Sequence, residues 1–248
     1  MWKFFHRMAS PPHFYRFAAT LIPWLAVPGL LLIAYGAYAG LFVAPADYQQ
    51  GDAFRIIYVH VPAAYLSMMA YMMMAVGGGI GLIWRLKLAH AVGAAAAPLG
   101  AAFTFLALAT GSIWGRPMWG TWWEWGDPRL SSELILLFLY FGYMALRSSI
   151  DDTAKADKAS AVLAMVGVVN VVIVHFSVEW WSSLHQGQTV FKQGTMGADM
   201  RVPLFAMLIG FTLLFGAMLA RRIRTEVLFR ERRTRWVREL ILSPQGGK

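Results

Sequence analysis

Six long apolar stretches alternate with short polar segments along this 248-residue chain: 21–43, 56–84, 91–113, 130–146, 159–178 and 202–220. A helix that crosses a bilayer needs about 20 predominantly apolar residues, so each stretch predicts one transmembrane helix. Ionisable side chains inside them are few: Glu133 near the start of the fourth, His60 in the second and His175 in the fifth. The pattern predicts an all-α integral membrane protein, a single six-helix domain over residues 1–248. No small-residue cleavage pattern follows the first stretch, which therefore reads as an uncleaved span and not as a signal peptide.

An even number of spans puts both termini on one side of the membrane. Lys3, Arg7 and Arg16, then Arg85 and Lys87, then Arg147, Lys155 and Lys158 fall on that side, followed by nine more basic residues in 221–248. Together they make 17 of the 22 Lys and Arg. Arg55, Arg116, Arg129, Lys192 and Arg201 fall on the other side. Cytoplasmic loops carry the excess of positive charge, so both termini are expected in the cytoplasm. The outward loops are then 44–55, 114–129 and 179–201. The net charge of +9 could suggest nucleic acid, but its placement in a juxtamembrane tail, 221–248, fits anionic lipid headgroups.

Composition agrees. The chain is 58% hydrophobic and 14% charged, against about 25% charged residues in soluble domains. Cysteine is absent, which excludes disulfides, thiol chemistry and Cys-ligated metals. No P-loop, Rossmann fingerprint or HExxH motif occurs. Gly77 with Gly81, and Ala94 with Ala97, read as small residues that let helices approach. Met68, Met69, Met72, Met73 and Met74 read as core filler.

The chemistry concentrates in the outward loops. Trp114, Trp119, Trp122, Trp123 and Trp125, five of the chain's 11 tryptophans, fall within twelve residues between the third and fourth stretches. Interfacial enrichment of tryptophan explains one or two of them less strainedly than five. Interleaved with Gly, Pro and Arg, they read as a surface for a large, flat, apolar ligand. His60, at the outer end of the second span, and His185, in the third outward loop, lie at the same level. Imidazole is a good haem ligand, and two imidazoles can hold iron from opposite faces while the indoles contact the porphyrin. His175 competes as the second ligand, although it lies about three turns before His185, roughly 15 Å by helical rise. His6, His13 and His90 fall in inward-facing segments and carry no signal. Two histidines saturate the iron, which suits carriage or electron transfer and not oxygen chemistry. A ligand on a loop also moves more readily than one on a packed helix.

Three motifs in order carry a family resemblance: Tyr58-Val-His60-Val-Pro62, then Trp119-Gly-Thr-Trp-Trp-Glu-Trp125 running into Arg129-Leu-Ser-Ser-Glu133, then Phe176-Ser-Val-Glu-Trp180-Trp181-Ser-Ser-Leu-His185-Gln186. With six spans and this orientation, the chain resembles the haem exporter protein C family, CcmC, within the wider haem-handling superfamily named for its Trp-Trp-Asp (WWD) motif. The resemblance implies a bacterial inner-membrane protein that carries haem b as cargo at its periplasmic face, with His60 and His185 as axial ligands. It implies that the Trp-rich segment 114–133 contacts the haem edge through Trp114, Trp119, Trp122, Trp123, Trp125, Asp127 and Arg129. It implies delivery to the periplasmic haem chaperone CcmE, beside the small membrane protein CcmD and the ABC transporter subunits CcmA and CcmB. On this view the adduct-forming chemistry is shared between haem and chaperone, and no catalytic residue is assigned. The family pattern runs from the last Trp directly to Asp; here Gly126 intervenes, a residue that absorbs a bend.

Arg129, or else Arg116 or Arg55, would pair with the haem propionates by charge-assisted hydrogen bonds. Two other readings stand beside this one: a bis-histidine b-type cytochrome anchor for electron transfer, and a permease subunit for an unrelated apolar solute without metal.

Overall fold

The computed structural model describes residues 10–185 and 196–242. Lys3, His6, Arg7, Gln186, Lys192 and Lys248 lie outside the described residues. Helix α1 spans Pro11–Tyr38 and continues as a π-helical turn, Ala39–Val43. A 3-10 turn, Asp52–Ile56, leads into α2, Ile57–Trp84. Then come α3 (Lys87–Trp119), α4 (Pro128–Ser148), α5 (Thr153–Trp180), α6 (Ala198–Arg230) and a short α7 (Arg235–Leu242). Six of these elements are long and apolar enough to cross a membrane. Among the described residues, the β-structure is one isolated bridge, Asp47 to Gly51.

Local chemistry sets the ends of the helices. Two prolines open α1, where their missing N–H groups need no intrahelical partner. Asp127 and Asp152 cap α4 and α5 with side-chain oxygens. The third helix departs most from the hydropathy pattern. It runs on past Ile113 to Trp119 and stops at Gly120, whose φ of 78° turns the chain left-handed. The Gly120 N–H then bonds the Arg116 carbonyl at 3.1 Å, and the Arg116 guanidinium bonds the Gly120 carbonyl. Hydropathy falls at residue 114 because indole, Arg and Pro score low, but Trp and Arg sustain a helix well enough. Trp114 and Trp119 therefore stand on helix, and the connecting loop shrinks to 120–127.

Helices α2, α3, α4, α5 and α6 enclose the main core, where Tyr71 and Tyr140 pack edge to face at 5.1 Å. The methionine run belongs here: Met74 is buried and Met68, Met69 and Met73 pack against the core, while Met72 is exposed. Gly77 gives the α2–α3 hairpin its close approach, since a Cβ there would sit 2.9 Å from the Ala89 carbonyl. Helix α1 is peripheral and packs mainly on α6. Gly29 and Gly210 make that contact: a Cβ on Gly210 would lie 2.9 Å from the Gly29 carbonyl oxygen.

At the end of the bundle that holds the described N- and C-terminal residues, Tyr15 of α1 meets Trp236 of α7 with ring centroids 5.8 Å apart. The same end carries an ion-pair cluster. Arg147 of α4 bonds Asp157 of α5 and Glu226 of α6 at 2.5 and 2.9 Å, and Arg230 bonds the same two acids at 2.7 and 2.8 Å. Two of the basic residues that set the charge asymmetry are thus committed to holding three helices together.

Candidate functional site

At the opposite end, four elements converge on one cleft. Its lining includes His60 from the first turn of α2, Gly111, Trp114 and Trp119 from the end of α3, Arg129 and Glu133 from the start of α4, and His185 from the segment after α5. The space between them is about 420 Å³, counting the solvent at its open mouth. The His60 and His185 rings face each other with centroids 6.0 Å apart and planes inclined by 35°. Trp114 meets His60 edge-on at 5.7 Å. The opposite side of Trp114 belongs to a second apolar cluster around Phe54, Tyr58, Leu204 and Met207, and its indole N–H donates to Gln50 Oε1 at 3.1 Å. Trp114 is therefore a fixed wall.

Each histidine is positioned by neighbours that residue type alone does not announce. His60 Nδ1 is 3.0 Å from Thr110 Oγ1. Gly111 leaves room for the imidazole, since a Cβ there would lie 3.1 Å from His60 Cε1. The His185 segment is tied down by Asp127. One carboxylate oxygen of Asp127 accepts from the N–H groups of Arg129 and Leu130, capping α4, and the other accepts from Ser183 Oγ and Leu184 N–H, both at 2.8 Å. Ser183 Oγ in turn accepts from the His185 N–H at 3.0 Å. The carboxylate is buried and stands behind the cleft, not on its lining.

Arg129 reaches the cleft from the first turn of α4 and donates to the Val174 carbonyl at 2.8 Å. A guanidinium carries five N–H donors, so further donors remain for an anion. The other two arginines are engaged elsewhere: Arg55 with Asp52 and the Gly40 carbonyl, Arg116 with the Gly120 carbonyl. Glu133 is a residue that the sequence reading passed over as a site. It is buried, lines the cleft and lies 2.7 Å from Ser67 Oγ. Its signal was present, because an acid inside an apolar span marks a functional candidate.

The tryptophans divide. Trp114 and Trp119 line the cleft; Trp122, Trp123 and Trp125 do not. Trp122 and Trp125 are exposed, while Trp123 leans on the main core and packs edge to face with Trp125 at 5.5 Å. The Trp123 N–H is buried without a hydrogen-bond partner among the described residues. His175 sits on the exposed side of α5 against Phe176, at 4.6 Å between centroids, and does not line the cleft. Among the described residues, no group of three or more His, Cys, Asp and Glu gathers as a metal site.

A family model described as heme exporter protein C matches residues 4–238. The chain is 51% identical over 243 residues to the heme exporter protein C of Escherichia coli strain K12, covering 98% of each chain. It is 46% identical to that of Haemophilus influenzae, covering 97% of this chain and 98% of the relative. Against the heme exporter protein C of Paracoccus denitrificans the identity is 42%, over 88% of this chain and 91% of the relative. On these matches the chain belongs to the heme exporter protein C family.

Proposed function

We propose that this multi-pass inner-membrane protein handles haem for cytochrome c maturation, holding haem as cargo in the cleft between His60 and His185 and passing it on at the outer face. The observation that carries the reading is the facing pair of imidazoles. An imidazole nitrogen binds a first-row metal at about 2.0–2.1 Å and its ring centre lies about 1 Å further out, so two rings sharing one ion stand roughly 6 Å apart. The observed 6.0 Å meets that requirement. The donor set also fits haem: two neutral nitrogen ligands for the axial positions, indole walls at Trp114 and Trp119 for the macrocycle, and Arg129 for a propionate. The exposed Trp122 and Trp125 extend the aromatic surface beyond the cleft, where a larger ring system would project. Burial of porphyrin against this surface contributes roughly 25 cal/mol per Å² of apolar area.

Two protein ligands leave iron no open position, which favours carriage over catalysis. Delivery to the chaperone CcmE, with CcmD and the ABC subunits CcmA and CcmB as neighbours, is part of the same proposal. So are the periplasmic placement of the cleft and the contact of the basic tail with anionic lipid.

The test is the absorption spectrum of detergent-purified protein, wild type beside His60→Ala, His185→Ala and His175→Ala. The first two substitutions are expected to weaken or shift the Soret band, and the third to leave it unchanged. A wild type that neither carries haem nor takes it up when added would sink the proposal in favour of a metal-free permease. Redox cycling with a quinol while haem stays bound would favour the electron-transfer anchor.

A further inference from the structure

Thr110 lies on α3, one turn inside the cleft, and its single hydroxyl hydrogen has a local acceptor. Its Oγ1 is 2.7 Å from the Leu106 carbonyl and 3.2 Å from the Ala107 carbonyl. A threonine hydroxyl has one hydrogen and two lone pairs. With the hydrogen turned back to the helix, the oxygen facing His60 Nδ1 at 3.0 Å presents a lone pair. A bare Nδ1 would face oxygen lone pairs here, whereas a protonated Nδ1 is satisfied. Gly111 lets the Cε1–Nδ1 edge lie against α3, so the Nε2 atom is left for the cleft that His185 closes from the other side.

We infer that Thr110 is a positioning residue that fixes His60 as the Nδ1–H tautomer, with its Nε2 lone pair presented to the cleft. The inference rests on the reading of His60 as an iron ligand and adds the device that makes it one. A metal-bound histidine commonly donates its other ring N–H to an oxygen, which sets tautomer and ring angle together; loss of such a partner typically costs 10–100-fold in affinity. In this protein the oxygen comes from a hydroxyl anchored to its own helix. The ligand is therefore oriented before cargo arrives, and its orientation does not depend on the loop that carries His185.

The haem-free protein tests this directly. Full-length protein labelled with ¹⁵N-histidine is purified in detergent, and the His60 signals are assigned by their loss in His60→Ala. Wild type and Thr110→Ser are expected to carry the proton on Nδ1 with Nε2 bare. Thr110→Val, which keeps the branched shape and removes the oxygen, is expected to shift the population toward Nε2–H. Haem titration followed by absorption then gives Thr110→Val roughly tenfold weaker uptake or more, with Thr110→Ser near wild type. A proton on Nε2 in the wild type, or a tautomer indifferent to valine, overturns the inference. Those outcomes are read without haem. Failure of the haem reading is seen separately, as a spectrum unaffected by His60→Ala.

Discussion

Both oxygens of Asp127 are occupied by protein donors, and this decides how the residue acts. Oδ1 caps α4, placing Arg129 and Glu133 on the cleft, and Oδ2 holds the Ser183–Leu184 backbone from which His185 projects. Gly126 sits exposed in the turn just before Asp127, with its N–H to Glu124 Oε1 at 3.2 Å, and takes no part in these bonds. Asp127→Asn separates the two tasks. The amide keeps one oxygen for the cap, while its NH₂ cannot accept from Ser183 and Leu184. The expected result is a small stability loss, since a competent cap remains, with a clear fall in haem retention and a Soret band shifted toward that of His185→Ala. Asp127→Ala removes the cap as well and costs about 1 kcal/mol more in helix stability. Thermal unfolding in detergent measures the first quantity and haem absorbance the second; equal losses of both in Asp127→Asn would refute a separate loop-holding role.

Among the elements, what was legible in the sequence was whatever is local. Hydropathy located six helices, and the types of His60, His185 and Trp114 marked the residues that converge on the cleft. The end of α3 was not legible, because its last turns are built from residues of low hydropathy and its stop depends on Gly120. Nor were Thr110 and Ser67, polar residues whose contribution vanishes when a long apolar window is averaged. The outward turn of Trp122 and Trp125 depends on how the loop is tied to α4, which no spacing encodes. Gly29 and Gly210 were also hidden, since small residues matter only when another helix is opposite. Their contact gives an element-scale prediction. Gly210→Val would force side-chain atoms into the α1 backbone and should destabilise the protein by about 1–3 kcal/mol, as overpacking does. The control is Gly142→Ala, whose Cβ would meet only Leu163 at 3.9 Å. Detergent unfolding curves compare the two, and equal midpoints would show that α1 does not need this close approach.

On the scale of the whole molecule, the bundle has a fixed end and a working end. The fixed end is cross-braced by Arg147, Asp157, Glu226 and Arg230. Removing one member of this partly buried set leaves an uncompensated charge against the buried Asp157 or its partners, so these four residues resist motion between α4, α5 and α6. Among the described residues the working end has no comparable ion-pair cluster; His185 is held by hydrogen bonds through Asp127 and Ser183. Cargo release fits that asymmetry if the working end faces outward, the orientation that the distribution of Lys and Arg predicts. The absence of cysteine makes this directly testable, because any single cysteine introduced is the only thiol. Tyr48→Cys and Gly126→Cys lie at exposed positions at the cleft end, and Ser149→Cys and Glu239→Cys at exposed positions at the braced end. In intact spheroplasts a membrane-impermeant maleimide should label the first pair, and label the second only after the membrane is broken. The reverse pattern would place the histidine cleft in the cytoplasm, and an outward-facing haem donor of this architecture could not then be maintained.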